Sequence, residues 1–161
     1  MVYREALARL GQYEWFALTA AKLAPLDAAV LKRTGGRFGL LGNYGLPQCL
    51  LTTIGRKTSQ PRTVTLIYGT APTSNGGNSG EELILVGSNF GQSHHPAWAL
   101  NLEANPAAEV TIEGTPRAMS ARLVTDTEER EHLWAVMCAM WPAYNAYRGR
   151  AGREIKIFAL T

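Results

Sequence analysis

The sequence predicts an α+β protein built on a small mixed β-barrel of about six strands, with helices inserted between them. Three observations carry this prediction. Two β-leaning runs, Gln48–Thr53 and Arg62–Gly69, flank a loop that turns at Gly55. Leu83-Ile84-Leu85-Val86 is an unbroken apolar run, the pattern of a strand buried on both faces. Glu109–Ile112 and Pro116–Val124 are joined by the tight turn Glu113-Gly114-Thr115, and Ile155–Leu160 supplies a closing strand.

Taken in order, the chain opens with a helical pattern over residues 3 to 24. Leu7, Leu10, Leu18 and Ala21 recur at helical spacing, and Pro25 breaks the pattern. A shorter helix is expected from Leu26 to Lys32, ended by Gly35-Gly36, with a loop onward to Pro47. This arm packs on its own domain or rests, as an amphipathic helix, on a membrane surface. After the first hairpin, the Gly-, Ser- and Asn-rich stretch from 73 to 80 reads as a surface loop. Pro96 suits the first position of a helix that stops before Asn105-Pro106. Asp126 and Glu129 form a capping pair for a helix whose stripe is Leu133, Val136, Met137, Met140 and Trp141. Pro142 is expected to end it, leaving Tyr144 and Tyr147 on irregular backbone.

The 161 residues suit one barrel domain and are 46% hydrophobic and 18% charged, enough for a packed core. The division expected is an arm at 1–46 and a barrel at 47–161. The formal charge of +3 and pI of about 9.0 are weaker than a nucleic-acid binder shows, so an anionic small molecule or an anionic lipid surface fits better. Cys49 and Cys138 lie far apart in apolar surroundings and read as buried free thiols, not as a metal or redox motif. The start resembles no signal peptide and no run reaches membrane-spanning length, so a cytoplasmic protein is expected.

The basic loop Gly55–Arg62 carries Arg56, Lys57 and Arg62 among hydroxyls, so it can meet an anion with charge and backbone N–H groups together. Gly87-Ser88-Asn89-Phe90-Gly91 follows the most buried strand. Its flanking glycines let backbone approach a ligand, with the Ser88 hydroxyl and the Asn89 amide available. Trp98 can wall a ring-shaped ligand, and Trp141, Tyr144 and Tyr147 recur every three residues and can line a pocket. Adjacent His94 and His95 point different ways and no third ligand joins them, so no metal is expected. No nucleophile elbow, phosphate-binding loop or dinucleotide fingerprint occurs.

LTTIGRKTSQPR, LVGSNFGQSHHPAWALNLEANP and WPAYNAYRGRAGREIKIFAL, in that order, resemble the deazaflavin-dependent nitroreductase family of actinobacteria over residues 48 to 161. The resemblance implies a split β-barrel of the FMN-binding type and coenzyme F420 as cofactor. It places Arg56, Lys57 and Arg62 at the phosphate and oligoglutamate contacts. Thr52, Thr53, Thr65 and Ser88 fall along the cofactor groove, Trp98 in the HPxW element, and Tyr144 and Tyr147 beside the substrate pocket. Asn89 and Phe90 stand where many members carry a lysine or arginine and a glycine, and Trp141 where the best-known nitroreductases have tyrosine. The implied reaction moves a hydride from reduced F420 to a planar electron-poor acceptor: a quinone, an enone or unsaturated lactone, or a nitro compound. The competing readings are an FMN-dependent oxidoreductase of the same fold and a non-catalytic cofactor- or lipid-binding module. Ser88, Tyr144 and Tyr147 are the expected catalytic hydroxyls, with Asn89 at the cofactor beside them.

Overall fold

The computed structural model describes residue 10 and residues 12–34, 46–73 and 80–161. The expected start of the arm helix at 3–9, the loop at 35–45 and the interior of the Gly/Ser/Asn loop at 74–79 lie outside the described residues.

Six described strands close into one antiparallel barrel. They are β1 (Gln48–Ile54), β2 (Pro61–Pro72), β3 (Glu81–Val86), β4 (Ala107–Ile112), β5 (Thr115–Leu123) and β6 (Ile157–Leu160), arranged β1-β2-β3-β6-β5-β4. Closure leaves no strand edge unpaired. The β4–β5 turn is Glu113-Gly114 with φ of 49° and 82°, the left-handed pair that a two-residue hairpin requires.

The apolar run of β3 is two-faced, as its sequence predicts. Leu83 and Leu85, with Phe158 and Leu160 of β6, join Cys49, Leu51 and Val110 in one cluster that fills the barrel. Ile84 and Val86, with Ile157 and Ala159, face the other way and pack beneath two C-terminal helices. Alternate residues of one strand therefore serve two cores.

The helices are α1 (Glu14–Arg33), α2 (Ala97–Ala104), α3 (Thr127–Met140) and α4 (Ala143–Ala151). α2 drives Trp98 and Leu102 into the barrel cluster. α3 starts at Asp126, whose carboxylate accepts from the Glu129 N–H at 2.9 Å, the expected cap. It buries Leu133, Trp134 and Met137, and a Cβ at Gly69 of β2 would sit 2.5 Å from Met137 Sδ. Arg122 of β5 ties this helix down. Its guanidinium bonds Glu129 at 2.8 Å and the buried Glu82 of β3 at 3.1 Å.

Three expectations built on proline need correction. α1 runs through Pro25 as one helix, because a proline removes a single backbone donor and the flanking Ala- and Leu-rich turns carry the rest of the ladder. Pro96 is the residue before α2, not its first residue. Pro142 does end α3, but it also begins α4: its φ of −57° and ψ of −22° are already helical, and its missing N–H would be unpaired in a first turn anyway. Tyr144 and Tyr147 thus sit on regular helix, not on a loop.

Candidate active site

A cavity of about 510 Å³ lies among β2, the turn after β3, the start of α2, and α4. Val64, Leu66, Ile67 and Val86 give it apolar walls, and Trp98, Trp141, Tyr144 and Tyr147 give it aromatic ones. Phe16 and the buried Asp27 of α1 and Leu46 close the side towards the arm.

The turn after β3 is unusual backbone. Asn89, Phe90 and Gly91 all have positive φ, at 47°, 55° and 81°. For Asn89 and Phe90 this costs about 1–2 kcal/mol each. Local bonds hold it: Gly91 N–H to Ser88 O at 2.9 Å, Gln92 N–H to Asn89 O at 3.0 Å, and Asn89 Nδ2 to His94 O at 3.1 Å. Gly91 also meets α4 directly, since a Cβ there would lie 3.1 Å from Tyr147 Cα. Strain of this kind is ordinarily found where surrounding structure over-determines the backbone, and here it lies at a cavity wall.

On α4, Tyr144 and Tyr147 stand one turn apart, 5% and 3% exposed, with ring centroids 6.0 Å apart and edge to face. Burial pushes both phenols above their ordinary pKa. For Tyr147 a hydrogen bond with Trp141 and the charge of Arg150 pull partly back. Both therefore stay protonated at neutral pH, each with an O–H available to donate.

Two polar atoms on the cavity wall are buried without a hydrogen-bond partner among the described residues: Gln48 Oε1 and Thr65 Oγ1. Buried polar groups are ordinarily paired, so these two call for a ligand with donors of its own. At the other side, Pro96 gives α2 no side-chain cap, and Pro96, Ala97 and Trp98 line the cavity. An uncapped helix start favours an oxygen-rich or anionic group. Arg56 reaches the same cavity from the basic loop. That loop is ordered by Gly55 N–H to Gln60 O at 2.8 Å and Ser59 N–H to Gly55 O at 2.7 Å.

The cavity gathers Arg56, Thr65, Ser88, Asn89, Trp98, Tyr144 and Tyr147 from stretches far apart in sequence. Lys57 and Arg62 are exposed on the hairpin and do not line it. Thr52 and Thr53 do not line it either. The Thr52 hydroxyl pairs with that of Thr63 at 2.9 Å, and Thr53, 1% exposed, accepts from Asn101 Nδ2 at 3.1 Å. Among the described residues no group of three metal-ligating side chains occurs.

Sequence reasoning passed over four residues. Gln48 reads as an ordinary strand start. Asn101 sits mid-helix and reads as solvated, yet its Oδ1 accepts from the Arg56 N–H at 3.2 Å and holds the basic loop to α2. His95 reads as a solvated or capping residue before Pro96, yet it lines the cavity. Arg153, beyond α4, has no motif around it.

Comparison with known proteins follows the same lines. The F420H(2)-dependent quinone reductase family matches residues 25–161. An F420H(2)-dependent quinone reductase of Mycobacterium tuberculosis (strain CDC 1551 / Oshkosh) is 31% identical over 142 residues, covering 87% of this chain and 90% of the relative. A solved F420-H2 dependent reductase, FDR-A, superposes with a TM-score of 0.58 at 31% identity, covering 71% of this chain and 94% of that one. A second solved structure, described as a domain-swapped dimer, has a TM-score of 0.61 at 29% identity and covers 83% of this chain and 92% of that one. With the family spanning most of the chain and the barrel shared, the protein is an F420-dependent reductase that belongs to the F420H(2)-dependent quinone reductase family, and coenzyme F420 is its cofactor.

Proposed function

We propose that the protein reduces quinones at this cavity, and that its acceptor range extends to other planar electron-poor molecules: enones, unsaturated lactones and activated nitro compounds. One observation carries the reading. A cavity of about 510 Å³ joins flat aromatic walls to orphaned polar atoms, Gln48 Oε1 and Thr65 Oγ1, with a cation, Arg56, at its edge. Flat walls suit stacked rings. The orphans suit a ring carrying N–H and O–H groups. The cation, with Lys57 and Arg62 outside, suits an anionic tail. When bound, the reduced cofactor supplies the hydride.

The chain's own part is positioning and proton supply. Trp98, on the barrel side, and the Ser88–Gly91 turn hold the cofactor ring. Ser88 and Asn89 offer it a hydroxyl and an amide. Tyr144 and Tyr147, held protonated by burial, donate to the acceptor oxygen as negative charge builds there. Trp141 packs against the acceptor, and its one donor, the indole N–H, goes to the Tyr147 hydroxyl.

A direct titration tests this. Oxidised F420 and FMN are bound to the protein at low and high salt, and turnover of a soluble naphthoquinone with reduced F420 is followed. The expected result is tighter binding of F420 than of FMN, weakening as salt rises, and quinone-dependent oxidation of the cofactor. Preferred FMN binding or no turnover refutes it.

The arm supports a second role. Tyr13, Trp15, Leu18, Leu23 and Leu26 are exposed, the tryptophan 60% so, and Lys22 lies among them. No described helix is long and apolar enough to cross a membrane. We infer that residues 1–46 form an arm that lies on an anionic lipid surface beside the 47–161 barrel, bringing the cavity to lipid-dissolved quinones.

A further inference from the structure

Arg153 follows the left-handed Gly152 (φ 60°) that ends α4. Its guanidinium carries five N–H donors, and five acceptors meet them. Nε donates to Gln92 O at 3.1 Å. One terminal nitrogen donates to His95 Nδ1 at 3.0 Å and to Glu154 O at 3.4 Å. The other donates to Gly87 O at 3.1 Å and Ser88 O at 3.2 Å. All five acceptors are neutral, and burial lowers the Arg153 pKa from its ordinary value. A cation held this way has no free donor left for a ligand. What it does is bracket the strained turn, with Gly87 and Ser88 on one side of the left-handed residues and Gln92 on the other.

The contact with His95 has one sense. Arginine cannot accept a hydrogen bond, so Nδ1 accepts and the neutral ring carries its proton on Nε2. Burial and the charges of Arg153 and Lys156 keep His95 below its ordinary pKa, with Glu103 opposing, so the ring is neutral at pH 7. His95 lines the cavity immediately before the uncapped start of α2. Both features favour an oxygen of the ligand at this place.

We propose that Arg153 is a positioning residue and His95 a ligand-binding one: Arg153 locks the His95 tautomer, so that the cavity is offered a neutral Nε2–H donor for an oxygen of the bound cofactor. The ligand half of this proposal rests on the assignment of the cavity to F420. The deazaflavin ring carbonyls and the side-chain phosphate are the oxygens in question.

The test has two parts. The protein contains three histidines, so long-range proton–nitrogen correlation spectra of labelled free protein identify His95 by its loss in His95→Gln. The expected spectrum shows a neutral Nε2–H tautomer at pH 7, which becomes a mixture in Arg153→Met. A predominant Nδ1–H form in the wild type overturns the Arg153 half without any variant having to fold. Oxidised F420 is then titrated into His95→Gln, whose amide reaches the Nε2 position, and His95→Asn, whose amide reaches only Nδ1. The glutamine variant is expected within about 3-fold of wild type and the asparagine variant to lose about 10-fold or more, the worth of one hydrogen bond. Equal affinities overturn the ligand half. If wild type itself binds no F420, the cofactor site assignment falls and the ligand half falls with it, while the free-protein spectrum still decides the Arg153 half.

Discussion

Asn101 offers the sharpest test of how the site is held. It is 3% exposed, donates to the enclosed Thr53 hydroxyl at 3.1 Å, and accepts from the Arg56 N–H at 3.2 Å. Asn101→Ala leaves the Thr53 hydroxyl buried with no partner from α2, an expense of about 1–3 kcal/mol. The exposed Arg56 backbone turns to water instead and adds little. Loss of side-chain packing brings the expected total to about 2–3 kcal/mol. Thr53→Val removes the same bond from the other end and strands only the Asn101 amide, at about 1–2 kcal/mol. In the double variant neither stranded partner exists. The double-mutant cycle should therefore show a coupling of about 1 kcal/mol, measured by urea unfolding with unchanged slopes. F420 affinity should fall in Asn101→Ala, which releases the basic loop, and hold in Thr53→Val. Additivity within about 0.3 kcal/mol would refute the idea that this bond is the tie between α2 and the barrel.

Five further outcomes are expected. Tyr147→Phe or Tyr144→Phe lowers kcat on a quinone with F420 affinity unchanged, read by steady-state kinetics; if both retain full kcat, the proton comes from elsewhere. Replacing Arg56 and Lys57 together weakens F420 binding by about 2 kcal/mol or more and flattens its salt dependence, seen by titration. Cys49, pushed up to about 12 by burial, resists thiol reagents at pH 8 until the protein unfolds. Because this thiol and both phenols are raised in the folded state, their contribution to stability is fully present below about pH 8.5 and is lost as pH rises beyond it, which alkaline denaturation measures. Removal of the arm abolishes co-sedimentation with anionic liposomes; negligible binding by the full chain would leave the arm as packing.

The strands were legible because their pattern is local. Leu83–Val86 announces two buried faces, and Glu113-Gly114 announces its own turn. The helix boundaries at Pro25 and Pro142 were misjudged because a proline shows which donor is lost, not whether packing carries the helix on or starts the next one. At the site, Arg56, Ser88, Asn89, Trp98, Tyr144 and Tyr147 could be named from stretches that advertise charge, hydroxyls or rings, Thr65 only through the family resemblance, and all converge on one cavity. Asn101 and Arg153 could not. Their roles depend on partners 48 and 66 residues away, at Thr53 and Gly87, and on hydrogen bonds to a hydroxyl and to carbonyls that leave no trace in composition.

The contact between Gly91 and Tyr147 couples two walls that a designer would prefer to vary separately. The turn that walls one side of the cavity lies against the backbone of the helix that walls another, not merely its side chains. A change that shifts α4 to admit a bulkier ligand must therefore drag the Ser88–Gly91 turn with it. Acceptor range is best retuned by exchanging side chains at fixed backbone, with Trp141, just outside α4, as the natural first position. Drift along this family should accordingly replace rings at the pocket far more readily than it moves the helix that carries them.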